Sequence, residues 1–170
     1  MQCETFDSLA LGSQISVYLL NPVPTNTWQP PNGDFWGAKF LSANGHSTDR
    51  GFARITRAGR AGGSGREVRV SNITLCFSAN FGQVLTYISF AFGEYGGNLN
   101  LMVGREFVNF QNFQDLHGSI IGGVKVNVIS GGTGHALGKV EFIGTINDQR
   151  WWGHLAIGGQ ELWIDDLCWE

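Results

Sequence analysis

The sequence predicts an all-β protein, an antiparallel two-sheet jelly-roll sandwich with long loops, and three observations carry that prediction. Hydrophobic residues alternate with polar ones at a period of two along most of the chain, while helical spacing is nearly absent. Glycine is abundant, 25 of 170 residues or about twice the usual share, and it is dispersed between the alternating runs. About ten short runs separated by turn signals then suit a sandwich or jelly roll.

Residues 73–78 set Ile73, Leu75 and Phe77 on one face and Thr74, Cys76 and Ser78 on the other, as a half-buried strand requires. Residues 98–103, 123–128 and 139–144 repeat the pattern, which suits antiparallel sheets with one wetter face. The run 84–92, VLTYISFAF, is apolar on both faces and is expected at a sheet centre. Turn signals fall between these runs at Asn32-Gly33, Asn44-Gly45, residues 61–65, Tyr95-Gly96-Gly97, Gly122-Gly123, Gly131-Gly132 and Gly158-Gly159. Residues 21–34 hold all four prolines and are expected to form a long surface loop around Trp28. Neither an internal repeat nor a second domain is visible, so residues 1–170 are expected to form one β-sandwich domain.

Charge narrows the function. A net charge of −3 and 15% charged residues provide no global field for nucleic acid or an anionic membrane, so neither partner is expected. No apolar run reaches the length of a membrane span, and the first residues, MQCETFDS, lack the basic start and apolar centre of a signal peptide. Basic residues are nevertheless concentrated: Arg50, Arg54, Arg57, Arg60, Arg66 and Arg69 are six of the eleven in the chain. A solvated edge strand, whose charges discourage edge-to-edge pairing, is the expectation for them, with an anion- or nucleic-acid-binding arm as the alternative.

The adjacent acids Asp165 and Asp166 interrupt a terminal run, LWIDDLCW, that otherwise reads as a buried strand. An unpaired buried carboxylate costs several kcal/mol, so something must neutralise or hydrate the pair. The first residues read Gln2-Cys3-Glu4-Thr5-Phe6-Asp7 before a glycine-containing turn. Both ends together resemble jelly-roll carbohydrate-binding modules of the galactose-binding-like type, in which such first and last strands pair. The resemblance implies a structural calcium held by an acid from each end, Glu4 or Asp7 with Asp165 or Asp166, which agrees with the preference of calcium for six to eight oxygens. The alternative is one carboxylate in solvent beside one that accepts backbone N–H groups.

Paired terminal strands would also bring Cys3 opposite Cys168, within reach of a disulfide, with Cys76 a buried thiol. That bond implies an oxidising, extracellular or periplasmic location, the leader being absent from this chain; three reduced cysteines in a cytoplasmic protein are the alternative.

Six tryptophans, Trp28, Trp36, Trp151, Trp152, Trp163 and Trp169, exceed the needs of a core this size, and flat aromatic faces bind sugar C–H faces. Trp151 and Trp152 must point to opposite faces of a strand, so one of them leaves the core. With Trp28, Tyr95, Asn98, Asn100 and Asn127 they form the candidate ligand-binding set; Lys125 and Glu141 add polar groups on the wetter faces. No nucleophile elbow, P-loop, zinc-protease helix or Cys-x-x-Cys is present. The histidines, His46, His117, His135 and His154, are scattered and expected in surface loops.

The expected function is therefore a non-catalytic module that binds a carbohydrate or similar ring-bearing small molecule on a concave sheet face. An alternative is a small calcium-stabilised acid–base enzyme, with Glu94, Glu141 or Asp115 as acid or base where burial raises a pKa. Similarity of this fold pattern to the calcium-dependent cyanobacterial indole-alkaloid cyclases gives it precedent. A second alternative is a self-assembling extracellular subunit, and uncovered sheet edges make a homodimer reasonable.

Overall fold

The structure, a computed structural model, describes residues 1–13, 18–19, 52–78, 86–103, 106–132, 134–144 and 155–170. Trp28, Trp36, Trp151, Trp152, His46, His154, Arg50 and the proline-bearing residues 21–34 lie outside them. The described chain is all-β. In order it forms β1 (Gln2–Glu4), β2 (Tyr18–Leu19), β3 (Phe52–Arg57), β4 (Arg66–Ser71), β5 (Ile73–Ser78), β6 (Tyr87–Glu94) and β7 (Leu99–Val103). These are followed by β8 (Glu106–Phe110), a single 3-10 turn (Phe113–Leu116), β9 (Ile120–Ile121), β10 (Val124–Ile129), β11 (Ala136–Gly144), β12 (Leu155–Gly159) and β13 (Leu162–Trp169). Among the described residues no helix is long and apolar enough to cross a membrane.

The strands form two sheets. The larger runs β3-β4-β13-β6-β11-β10-β9, with β1 also on β13, and the smaller runs β2-β5-β12-β7-β8. Every described pair is antiparallel except β2 with β5. Phe90 and Phe92 of β6, Phe142 of β11 and Ile164 of β13 share one buried cluster with Leu101 of β7 and Ile157 of β12, so the two sheets enclose a common core. Each such side chain contributes about 1.5–3 kcal/mol by leaving water. Strand β6 is the middle of the larger sheet, which explains why its sequence is apolar on both faces.

The terminal strands pair antiparallel with Gln2 opposite Trp169, Cys3 opposite Cys168 and Glu4 opposite Leu167, and Cys3 and Cys168 are joined by a disulfide. On the same flank of β13, β4 occupies Leu162 to Ile164 and β1 occupies Leu167 to Trp169. Between the two lies a bulge. Asp165 opposes Ala91 and Cys168 opposes Ser89, so β13 advances three residues where β6 advances two. Asp166 takes up the extra residue with φ 48°, a left-handed conformation that aspartate tolerates better than most residues. The two acids of the terminal run are thereby separated: Asp166 is exposed, and Asp165 is buried on the outer face of the sheet.

What buries Asp165 is the connection between β3 and β4. Residues 58–65 fold back flat over the outer face, closed at their base by the Ala58 amide donating to the Gly65 carbonyl at 3.0 Å. The loop sits so close that a Cβ on Gly93 of β6 would overlap the Arg60 carbonyl oxygen. Residues 12–13 add backbone hydrogen bonds to the far side of β3 at Ile55, so this edge strand is partly covered by backbone as well as by charge.

Candidate ligand cleft and buried acid cluster

Tight turns between strands of the two sheets surround a cleft of about 440 Å³ lined by Gly96, Gly97, Asn98, Gln111, Asn112 and Gly134. Its walls are three connections. The turn from β6 to β7 is held by Gln160, whose side chain accepts the Asn98 amide at 3.2 Å and whose own amide donates to the Asn98 carbonyl at 3.1 Å. The second wall precedes the 3-10 turn, where the Asp115 carboxylate accepts the Asn112 amide at 3.0 Å. Asn112 then joins the third wall by accepting the Gly134 amide at 2.8 Å. Asn98 and Gln111 both line the cleft, and among the described residues their side-chain amides form no hydrogen bond.

Tyr95 and His135 stand at the rim with ring centroids 5.5 Å apart. The Tyr95 hydroxyl donates to the Arg60 carbonyl at 2.9 Å, so the rim is tied to the loop over the outer face. Beneath it, Glu94 is buried where β6 ends. One of its oxygens accepts the Phe113 amide at 2.9 Å, and the other, Oε1, has no partner. Burial, aided by the nearby charge of Asp115 and opposed by the Phe113 amide, pushes the Glu94 carboxyl up to about 7.

The second feature is the acid cluster under residues 58–65. Glu67 of β4 is fully buried, and its carboxylate accepts the amides of Gly59, Arg60 and Ala61 at 2.9–3.2 Å. Asp165 Oδ1 accepts the Asp166 amide at 2.8 Å, while Oδ2 is buried without a partner. Burial first, then the charges of Asp166, Glu67 and Asp7 against the help of the Asp166 amide, raises Asp165 to about 7. Side chains at Gly63 and Gly65 would overlap the carboxylates of Asp165 and Asp7 respectively, so one glycine loop lies against both acids. Asp7 Oδ1 accepts the Arg66 amide at 2.7 Å, and Glu4 accepts the Phe6 amide at 2.6 Å. Among the described residues no group of three or more His, Cys, Asp or Glu side chains is arranged to hold a metal ion.

The residues singled out in the sequence thus fall in four places. Tyr95 and Asn98 belong to the cleft, with Glu94 beneath it and Asp115 supporting its wall. Asn127 and Glu141 lie on the outer face of the larger sheet, where Glu141 accepts from Asn127 at 2.9 Å and from Tyr87 at 2.7 Å, with Lys139 at 3.3 Å. Hydrogen bonds from Asn127 and Tyr87 hold Glu141 below its ordinary value, and Lys139, against its burial, is held above its own by Tyr87 and Glu141. Asn100 corrects the expectation of a wetter face: it is fully buried in β7, its side-chain Oδ1 accepting from the Asn109 side-chain amide at 2.7 Å. Glu4, Asp7 and Asp165 gather near the chain ends, while Asp166 turns to solvent. Trp28, Trp151 and Trp152 lie outside the described residues.

Gln111, Asn112 and Glu67 were not singled out in the sequence, and His135 was expected only as a surface-loop histidine. Only one of them had a local signal, since Asn112 followed three residues later by Asp115 resembles a capping pair. No family model, curated protein or solved structure matches the chain.

Proposed function

We propose that the protein is a non-catalytic ligand-binding module of jelly-roll type that takes a carbohydrate or another polyhydroxylated small molecule in the cleft. The observation that carries this reading is the lining: unpartnered amide side chains from Asn98 and Gln111 beside glycine backbone, with Tyr95 and His135 at the rim. Hydroxyl groups both donate and accept, and side-chain amides answer both needs. The Cys3–Cys168 disulfide supports an extracellular or periplasmic setting. Titration calorimetry against neutral oligosaccharides tests the assignment. Binding should weaken about tenfold in Asn98→Ala or Gln111→Ala, the effect of one or two hydrogen bonds. Binding unchanged in both variants, or absent for every sugar, removes the assignment.

The terminal strands also propose a calcium, although among the described residues no group of three or more acids is arranged to hold a metal ion. Asp165, with its buried unpartnered Oδ2, and Asp7, against the same glycine loop, would hold it together with backbone carbonyls. Glu67 is already engaged by three amides, and Asp166 faces away. A melt that rises with calcium and falls with chelator, and loses both responses in Asp165→Asn, is the expected result. Superimposable curves exclude the ion.

Glu94 supports a second reading, a small acid–base enzyme. A buried carboxyl that titrates near 7 can give or take a proton at neutral pH. On this reading Glu94→Gln keeps binding and loses turnover.

A further inference from the structure

Across the outer face of the larger sheet, guanidinium groups and aromatic rings alternate in one row. Arg54 lies 5.0 Å from the centroid of the Phe52 ring, and Arg69 reaches the same ring at 5.4 Å. Arg69 also stands 5.2 Å from the Trp163 ring, and Arg60 lies between Trp163 at 5.7 Å and Tyr95 at 4.9 Å. The row therefore runs from edge strand β3 to the rim of the cleft, where Tyr95 enters the turn that lines it.

The charges along the row are unbalanced. Arg54 and Arg69 are directly opposed across β3 and β4, and like charges so placed repel. Among the described residues, none of Arg54, Arg60 and Arg69 forms an ion pair, and the Nε of Arg69 is buried with no hydrogen-bond partner. The closest carboxylate along β4, Glu67, has its oxygens on the amides of residues 59–61. Stacking on a ring uses the flat face of a guanidinium and leaves its N–H edges, the part that grips a carboxylate or sulfate as a fork. Arg54 and Arg60 present those edges on exposed side chains.

We propose that this row binds the acid groups of an anionic polysaccharide, uronate- or sulfate-bearing, while part of the same chain occupies the cleft. The choice of a glycan rests on the carbohydrate reading of the cleft; the preference for an anionic one rests on the arginines alone. Single-stranded nucleic acid is the weaker occupant, because it needs open aromatic faces for its bases and guanidinium groups already lie against these rings.

Two matched pairs of probes test the proposal: polygalacturonate against its fully methyl-esterified form, and dextran sulfate against dextran. The acidic member of at least one pair should bind more than tenfold tighter than its neutral partner, and the advantage should shrink as salt is raised. The pair that shows it identifies the acid as carboxylate or sulfate. Arg54→Gln and Arg60→Gln should each weaken that binding about tenfold, the equivalent of one charge-assisted hydrogen-bonded contact. Arg54→Lys retains the charge and loses the fork, so it should fall between wild type and Arg54→Gln, and it carries the test should the glutamine variant fail to fold.

Equal affinity for charged and neutral members in both pairs overturns the proposal and leaves the cleft reading standing. Acidic-glycan binding that responds to the arginine variants but not to Asn98→Ala supports the arginine row as the acid-binding site and overturns the joint occupancy of the cleft. Tighter binding of an oligothymidylate than of either acidic glycan, or no binding of any of the four polysaccharides, overturns it.

Discussion

The Oδ2 atom of Asp165 lies against the backbone of Gly63, so closely that a Cβ at Gly63 would overlap it. A residue of the last strand thus depends on the absence of a side chain in a hairpin loop a hundred positions earlier. The loop and the bulge of β13 form one unit, and its consequences can be measured.

Gly63→Ala should destabilise the protein by about 1–3 kcal/mol, the usual cost of overpacking a closed site. Its φ is not in the left-handed region, so the penalty comes from the overlap with Asp165. The double variant Gly63→Ala/Asp165→Ala should therefore recover much of the loss relative to Asp165→Ala alone. Additive effects in urea melts would place the strain elsewhere.

Stability should fall as the pH rises from about 4 to above 7. Asp165 and Glu94 each titrate near 7 in the folded protein, against ordinary values of 3.8 and 4.5. Between those values the folded state binds more protons than the unfolded chain, so their contribution is fully present below about 4 and is lost through 7. Urea midpoints at pH 5 and pH 8 read this directly. Asp165→Asn and Glu94→Gln should each flatten the dependence; a slope unchanged in both would mean that other groups govern it.

Glu67→Ala should cost about 3 kcal/mol or more, because three amides, that of Ala61 buried and those of Gly59 and Arg60 partly so, lose one shared charged acceptor. The loss should be local first. Amide exchange at residues 59–61 should accelerate more than exchange in β6 or β11, and uniform acceleration would count against a latch on the loop.

Removing the Cys3–Cys168 bond, by reductant or by Cys3→Ser/Cys168→Ser, should lower stability by about 2–5 kcal/mol. The bond joins residues 165 positions apart and therefore closes nearly the whole chain into a loop. Coincident urea curves with and without reductant would show that the thiols are not linked in the protein tested.

How much of this was legible in the sequence depends on how far each interaction reaches along the chain. Alternation identified β5 with its bounds, placed β7, β10 and β11 closely, and set β6 at a sheet centre, because a period of two is a local property that backbone geometry imposes. The proposed pairing of the terminal strands likewise corresponds to the observed β1–β13 ladder. The sequence by itself determined the all-β character, glycine turns such as Tyr95-Gly96-Gly97 between the strands, and the presence of acids that a strand must accommodate. Tertiary structure alone decided what those residues meet. Alternation could not show that Asn100 faces a covered side, since solvent access belongs to the whole molecule. It could not reveal the bulge that sends Asp166 to water and Asp165 inward, because a bulge is a mismatch between two strands. Nor could it bring residues 58–65 over Asp165, or set Arg69 against Trp163, since these contacts join segments about a hundred residues apart and exist only once the sheet has formed.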